Sequence, residues 1–217
     1  MRMVSFSLTS ISIEHTALVA TILFSILSFW GLFHQVRQIV RLQSVRSLLP
    51  SVYIINAFVY FSGLTYGYLE VNWAIFLNGL LVIPYLWLHH TLYKMRAFHK
   101  KDAILIIFLS FFIGAMILTP HHGVIYLALT LSSLIGYSAQ LVTLYNSGAT
   151  GALCPRLFAV GVLSATTWMV YAYSSQEPIL MLTAPASLIL NAFILTLWCR
   201  YWIQQRQSKL FKIVIRH

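Results

Sequence analysis

Acidic side chains are nearly missing from this chain: 4 Asp and Glu stand against 14 Lys and Arg in 217 residues, and charged residues make up only 8%. Water-soluble domains of this size carry about a quarter charged residues, so a fully solvated surface is excluded, and a hydrophobic content of 59% places the chain in a bilayer. None of Glu14, Glu70, Asp102 or Glu177 is placed inside an apolar run, which argues against an acid-based proton relay. Cysteine is equally sparse. Cys154 and Cys199 have neither CxxC nor histidine spacing, so a disulfide framework and a metal site are unsupported and both read as small apolar fillers. No nucleophile cluster suggests an enzyme, His121-His122 in a short outer loop being a poor candidate, and no cofactor is implied. The net charge of +10 does not imply nucleic acid, because the basic residues lie between long apolar runs, where anionic lipid headgroups and membrane orientation account for them.

What the chain does have is span-length apolar sequence. Seven segments approach the ~20 residues that cross a hydrocarbon core: 16–36, 50–69, 72–93, 103–119, 123–145, 156–174 and 179–200. The expected architecture is an all-α integral membrane protein. The first run is too long and too late for a signal peptide and is kept in the mature chain. Arg37, Arg41 and Arg46 follow the first segment, Lys94, Arg96, Lys100 and Lys101 the third, and Arg156 the fifth; Arg200, Arg206, Lys209, Lys212 and Arg216 follow the seventh. Only Arg2 lies opposite, so the positive-inside rule sets the N-terminus outside and the C-terminus in the cytoplasm, with the cell membrane as the expected location.

The sequence also repeats. Residues 28–68, shifted by 105 positions, fall without a gap on residues 133–173, pairing Ser28 with Ser133, Gly31 with Gly136, Gln35 with Gln140, Leu48 with Leu153, Pro50 with Pro155, Tyr66 with Tyr171 and Tyr68 with Tyr173. Equivalent segments differ by four crossings, so both units point the same way: a parallel repeat about an axis along the membrane normal. The expected organisation is a three-helix bundle in residues 1–102, a linker helix in 103–122, and a second bundle with a basic tail in 123–217. The linker, "AILIIFLSFFIGAMILTP", is apolar on every face and has nothing with which to bind a polar solute.

On these residues the chain resembles the PQ-loop and SWEET transporter superfamily, seven-helix proteins of two three-helix bundles joined by a linker helix. The resemblance covers nearly the whole chain. Gln35 and Gln140 match the glutamines of the family's Pro-Gln pairs, while His34 and Ala139 replace the prolines; a helix kink there is lost with them. Pro50 and Pro155 open the second helices, as gate prolines or as ordinary first-turn prolines. The family's W-x-x-Y-G reads as Gly63-Leu-Thr-Tyr66-Gly67 and Trp168-Met-Val-Tyr171-Ala172.

The resemblance implies a substrate site near mid-membrane. Asn78 matches a sugar-contacting asparagine; its carboxamide suits a neutral polyol, although an interhelical hydrogen bond is the competing use. Trp168, opposite Gly63, offers an indole face for a sugar ring or serves as a packing residue. In the seventh segment Asn191 is the obvious partner of Asn78, but direct spacing favours Thr183, Ala186 or Ser187 near Pro185; Thr183, Ser187 and Asn191 lie four apart on one helix face. Tyr66 and Tyr171 then supply hydroxyls or hold the pocket's shape. His34, His89 and His90 read as interfacial residues, or as groups that titrate near neutrality. The expectation is a transporter moving a small neutral solute, a mono- or disaccharide, by facilitated diffusion with alternating access. The rivals are a carrier of amino acids or cationic solutes and, from another class, a seven-helix receptor. The bilayer and the solute are the expected partners; homo-oligomerisation is left open.

Overall fold

The computed structural model describes the backbone of residues 8–214 and the side chains of residue 16 and residues 18–208. Arg2 and Arg216, and the side chains of Glu14, Lys209 and Lys212, lie outside the described residues. Eight helices follow one another: α1 (Leu8–Leu42), α2 (Pro50–Leu69), α3 (Trp73–Gly79), α4 (Val82–Lys94), α5 (Lys100–Leu118), α6 (His122–Ser147), α7 (Pro155–Ser175) and α8 (Pro178–Val214). Among the described residues 6 stretches are long and apolar enough to cross a membrane, with α3 and α4 together counting as one, Trp73–Lys94. Helix α2 is not among them. At 20 residues it has the length, but Ser51, Asn56, Ser62, Thr65 and a series of tyrosines dilute its apolar character.

The third segment departs from the single helix expected over 72–93. It breaks between α3 and α4, and the cause is Pro84. With no amide at 84, the Leu80 carbonyl cannot receive its α-helical bond, and the chain tightens instead: Leu80 N–H reaches the Leu77 carbonyl at 3.2 Å, Leu81 that of Asn78 at 3.1 Å, and Ile83 that of Leu80 at 3.1 Å. Asn78 therefore sits beside a break rather than inside a regular helix. Pro185 of α8, by contrast, is carried within a continuous helix.

Helix contacts in the two parts of the chain match under the 105-residue shift. Helices α3 and α4 contact both α1 and α2, and α8 contacts both α6 and α7. Across the molecule α1 packs on α7 and α2 on α6, a pair of contacts that the 105-residue shift exchanges. Even the close approaches correspond. A Cβ on Gly31 would lie 3.2 Å from the Leu157 Cα, and one on Gly136 would lie 3.7 Å from the Cα of Val52, the residue equivalent to Leu157. Helix α5 rests against α2 and α6 and leaves Ile104, Ile107, Phe111 and Leu118 exposed, the surface expected of a helix facing lipid tails.

Candidate functional site

The basic ends of α2 and α7 present the same backbone problem. Both begin with proline at the first helical position, and their preceding residues, Leu49 and Cys154, have no side chain that caps the helix. The buried peptide groups around these starts still need partners. They receive them from the opposite half. Gln35 of α1 donates through Nε2 to the Ala152 carbonyl at 2.8 Å and accepts from Cys154 N–H at 2.9 Å. Gln140 of α6 donates to the Ser47 carbonyl at 2.7 Å and accepts from Leu49 N–H at 3.0 Å. Both carboxamides are buried. Every partner in one clamp is the repeat equivalent of its counterpart in the other, so each half of the chain holds the turn that launches the second helix of the other half.

A cavity of about 140 Å³ lies among α1, α2, α3, α4, α6, α7 and α8. It is lined by Ser28, Asn56, Asn78, Thr130, Ser133, Ser164, Thr183, Ser187 and Asn191, with Tyr60, Tyr85, Tyr126, Tyr137, Phe158 and Trp168 as its aromatic walls. No acidic, basic or histidine side chain is among the lining residues. Asn78, Asn191, Trp168, Ser187 and Thr183 thus converge on one space. Tyr66 and Tyr171 do not line it.

The asparagines occupy different positions in the two halves. Asn78 Oδ1 lies 2.8 Å from the Ser25 hydroxyl, which also approaches the Thr21 carbonyl at 2.9 Å; the single hydroxyl hydrogen serves one of them. The repeat equivalent of Asn78 is Thr183, whose hydroxyl donates to the Ile179 carbonyl at 2.8 Å. Asn191 donates to the Ser187 carbonyl at 2.8 Å and rests on Gly161, where a Cβ would lie 2.6 Å from Asn191 Oδ1. Gly161 is the equivalent of Asn56. Asn191 therefore fills from α8 the place that Asn56 fills from α2, which accounts for its eight-residue departure from the spacing of Asn78.

Sequence reasoning missed Asn56, which is buried and donates to the Val52 carbonyl at 2.9 Å. Its signal was the same as that of Asn78: a carboxamide in an apolar helix, costly in lipid unless it has a use. Ser28 and Ser133, identical positions in the repeat, were also passed over as site residues. The Tyr137 hydroxyl, which interacts with Tyr85 and Asn56, had no local signal.

Toward the other end the halves meet through a polar rim. Tyr66 stacks on Tyr126 with ring centres 4.5 Å apart. The Tyr66 hydroxyl donates to Glu177, Glu70 pairs with His122 at 2.6 Å, and the Tyr171 hydroxyl donates to Asn72 at 3.3 Å. Tyr171 also meets Trp168 edge-on at 5.6 Å, so it supports a cavity wall without touching the cavity. Burial, then the charge of Glu70, push the Glu177 carboxyl above its usual range, with Tyr66 opposing. Asp102 is committed elsewhere: its carboxylate accepts from His99 N–H at 2.8 Å at the start of α5.

No protein-family model and no curated protein sequence matches the chain. Its fold is similar to that of a eukaryotic SWEET transporter solved at 3.7 Å, with a TM-score of 0.64 and 17% identity over 90% of this chain and 99% of that one. The similarity defines an all-helical fold of the SWEET type.

Proposed function

We propose that this protein is a membrane carrier of a small neutral solute, working by alternating access around the central cavity. The observation that carries the reading is the lining itself: hydroxyls, carboxamides and aromatic faces, without a charged side chain. Hydroxyl-rich solutes fit such a surface, since carboxamides both donate and accept and aromatic rings cover apolar C–H faces. A cationic or zwitterionic solute would leave its charge unpaired there, at a high desolvation cost. At about 140 Å³ the space is below the roughly 300–1,000 Å³ of pockets for drug-sized ligands, which favours a monosaccharide over a disaccharide.

The carrier reading takes α3 and α4 as one broken span and counts α2 as a crossing although it is less apolar than the rest, because its polar residues face protein: Asn56, Ser62 and Tyr66 are buried. Seven crossings in a 3+1+3 arrangement follow, with α5 as the linker. The reciprocal α1–α7 and α2–α6 contacts and the paired glutamine clamps support two parallel bundles, and the charge distribution supports a cytoplasmic basic end. Pro50, Pro155, Gln35 and Gln140 form the inner gate; Tyr66, Tyr171 and their acidic neighbours form the outer one. Transport is facilitated diffusion, since the cavity holds no titratable acid or histidine. The test is uptake of a panel of labelled solutes into liposomes containing the purified protein. Selective, saturable entry of a neutral monosaccharide is expected; entry of amino acids or cations alone would overturn the reading.

A further inference from the structure

We propose that the groove between the basic ends of α1, α7 and α8 binds the phosphate of an anionic phospholipid headgroup. It has a volume of about 960 Å³ and is lined by Arg37, Arg41 and Arg156 together with Trp198 and Trp202. Arg37 and Arg41 are four residues apart and so share a face of α1. All three arginines are exposed, and among the described residues none is in a salt bridge with a carboxylate. The Arg156 side chain meets an imidazole and an indole: its Nη1 lies 3.1 Å from the His34 ring nitrogens, and its guanidinium is 5.3 Å from the centre of the Trp30 ring. Three cations are thus held around one concavity with no carboxylate beside them among the described residues; the carbonyl end of α1 answers Arg41 in part, while Arg156 stands at the positive end of the α7 dipole.

A general basic belt at the membrane surface does not explain this concentration. The repeat supplies a control face, where Arg37, Arg41 and Arg156 correspond to Val142, Asn146 and Ser51. The groove residue Gly151 corresponds in turn to Arg46, so the equivalent face keeps one arginine where this one has three. The occupant is an amphiphile rather than a soluble anion because apolar surface continues from the arginines toward the bilayer: Phe33 and Trp30, one and two turns on the membrane side of Arg37, are 37% and 46% exposed, and Trp30 lies under the Arg156 guanidinium. A phosphate on the arginines leaves the acyl chains along α1, and tryptophans at this depth suit the headgroup region. Cys154 also lines the groove, and its amide is held by Gln35. A bound headgroup therefore ties α1 to α7 beside the inner clamp and braces that end in its closed form.

The assignment rests on the reading of this end as a bilayer surface and is independent of the solute, so it is tested without transport. The full-length protein in detergent is titrated with short-chain phosphatidic acid, phosphatidylcholine or inorganic phosphate, with bound lipid counted by native mass spectrometry and thermal unfolding recorded in parallel. Phosphatidic acid should bind and raise the unfolding temperature; the other two should not. An arginine near such a surface contributes roughly fivefold, so Arg37→Gln with Arg41→Gln should weaken binding about 25-fold. Lys100→Gln with Lys101→Gln, which removes the same charge from the start of α5, should leave it within about twofold. Equal loss in both variants would reduce the effect to diffuse attraction and overturn the site. An equal response to inorganic phosphate would overturn the lipid as its ligand.

Discussion

Removing the Gln35 carboxamide strands two backbone groups at once, the Ala152 carbonyl and the Cys154 amide. Each buried unsatisfied group costs about 1–3 kcal/mol, and opening the basic end to water relieves both. Gln35→Ala should therefore lower the unfolding temperature and bias the protein toward a state open at that end, read as faster labelling of Cys154 by a thiol reagent. In the cavity, Asn78→Ala should weaken solute binding several-fold to tenfold, from a lost hydrogen bond of about 0.5–1.5 kcal/mol. Trp168→Ala should weaken it further by removing a wall. Asn191→Ala and Asn56→Ala should match each other rather than Asn78→Ala, because Asn191 occupies the place over Gly161 that Asn56 holds in the other half. Competition assays on liposomes, with folding checked by gel filtration, decide this. A loss confined to Asn78 and Asn191 would show that the simple asparagine pairing was the right one.

The helix starts were legible from single residues. Pro50 and Pro155 open α2 and α7 because a proline without an amide costs nothing in a first turn. The break after Asn78 was not legible, since Pro84 lies in an apolar run like that around Pro185, and α8 continues through its proline. Whether the chain yields depends on neighbours that no local pattern encodes. The glutamine clamps illustrate the same limit: their partners are 91 to 119 residues away in sequence. Motif matching marked Gln35 and Gln140, but their partners emerge only when the two halves are packed together. The turn between α7 and α8 carries a pH dependence. With its carboxyl raised above the ordinary 4.5, Glu177 keeps a proton in the closed rim that a solvated carboxyl has already lost. The closed form is thus favoured at acid pH and loses that advantage as pH rises from about 4.5 through the raised value. Glu177→Gln should flatten this part of the dependence, leaving the rim near neutral pH at least as stable as in the native protein. Thermal unfolding of both proteins between about pH 4 and pH 8 measures it; parallel curves would remove Glu177 from the outer closure.

Both ends of the molecule are held across the same two halves, by different chemistry. The inner clamps are four neutral hydrogen bonds, each worth about 0.5–1.5 kcal/mol when water can replace it. Opening that end thus costs on the order of 2–6 kcal/mol at equilibrium, which leaves an open minor state accessible to a ligand that prefers it. The outer rim adds the exposed Glu70–His122 hydrogen bond, worth little by itself where water can replace it, to the Tyr66–Tyr126 stack and the Glu177 and Asn72 contacts. Neither end is locked, and alternating access requires each to release in turn. A covalent tie across the outer rim should accordingly stop exchange while leaving the fold intact. Glu70→Cys with His122→Cys, in a Cys199→Ser background that removes the exposed native thiol, places two thiols where 2.6 Å now separates carboxylate from imidazole. A short bifunctional thiol reagent should abolish liposome exchange of the transported solute in the double variant and leave each single variant active. Undiminished exchange by fully cross-linked protein would mean that solute passes without the outer halves separating, and the carrier mechanism would have to give way to a fixed pore.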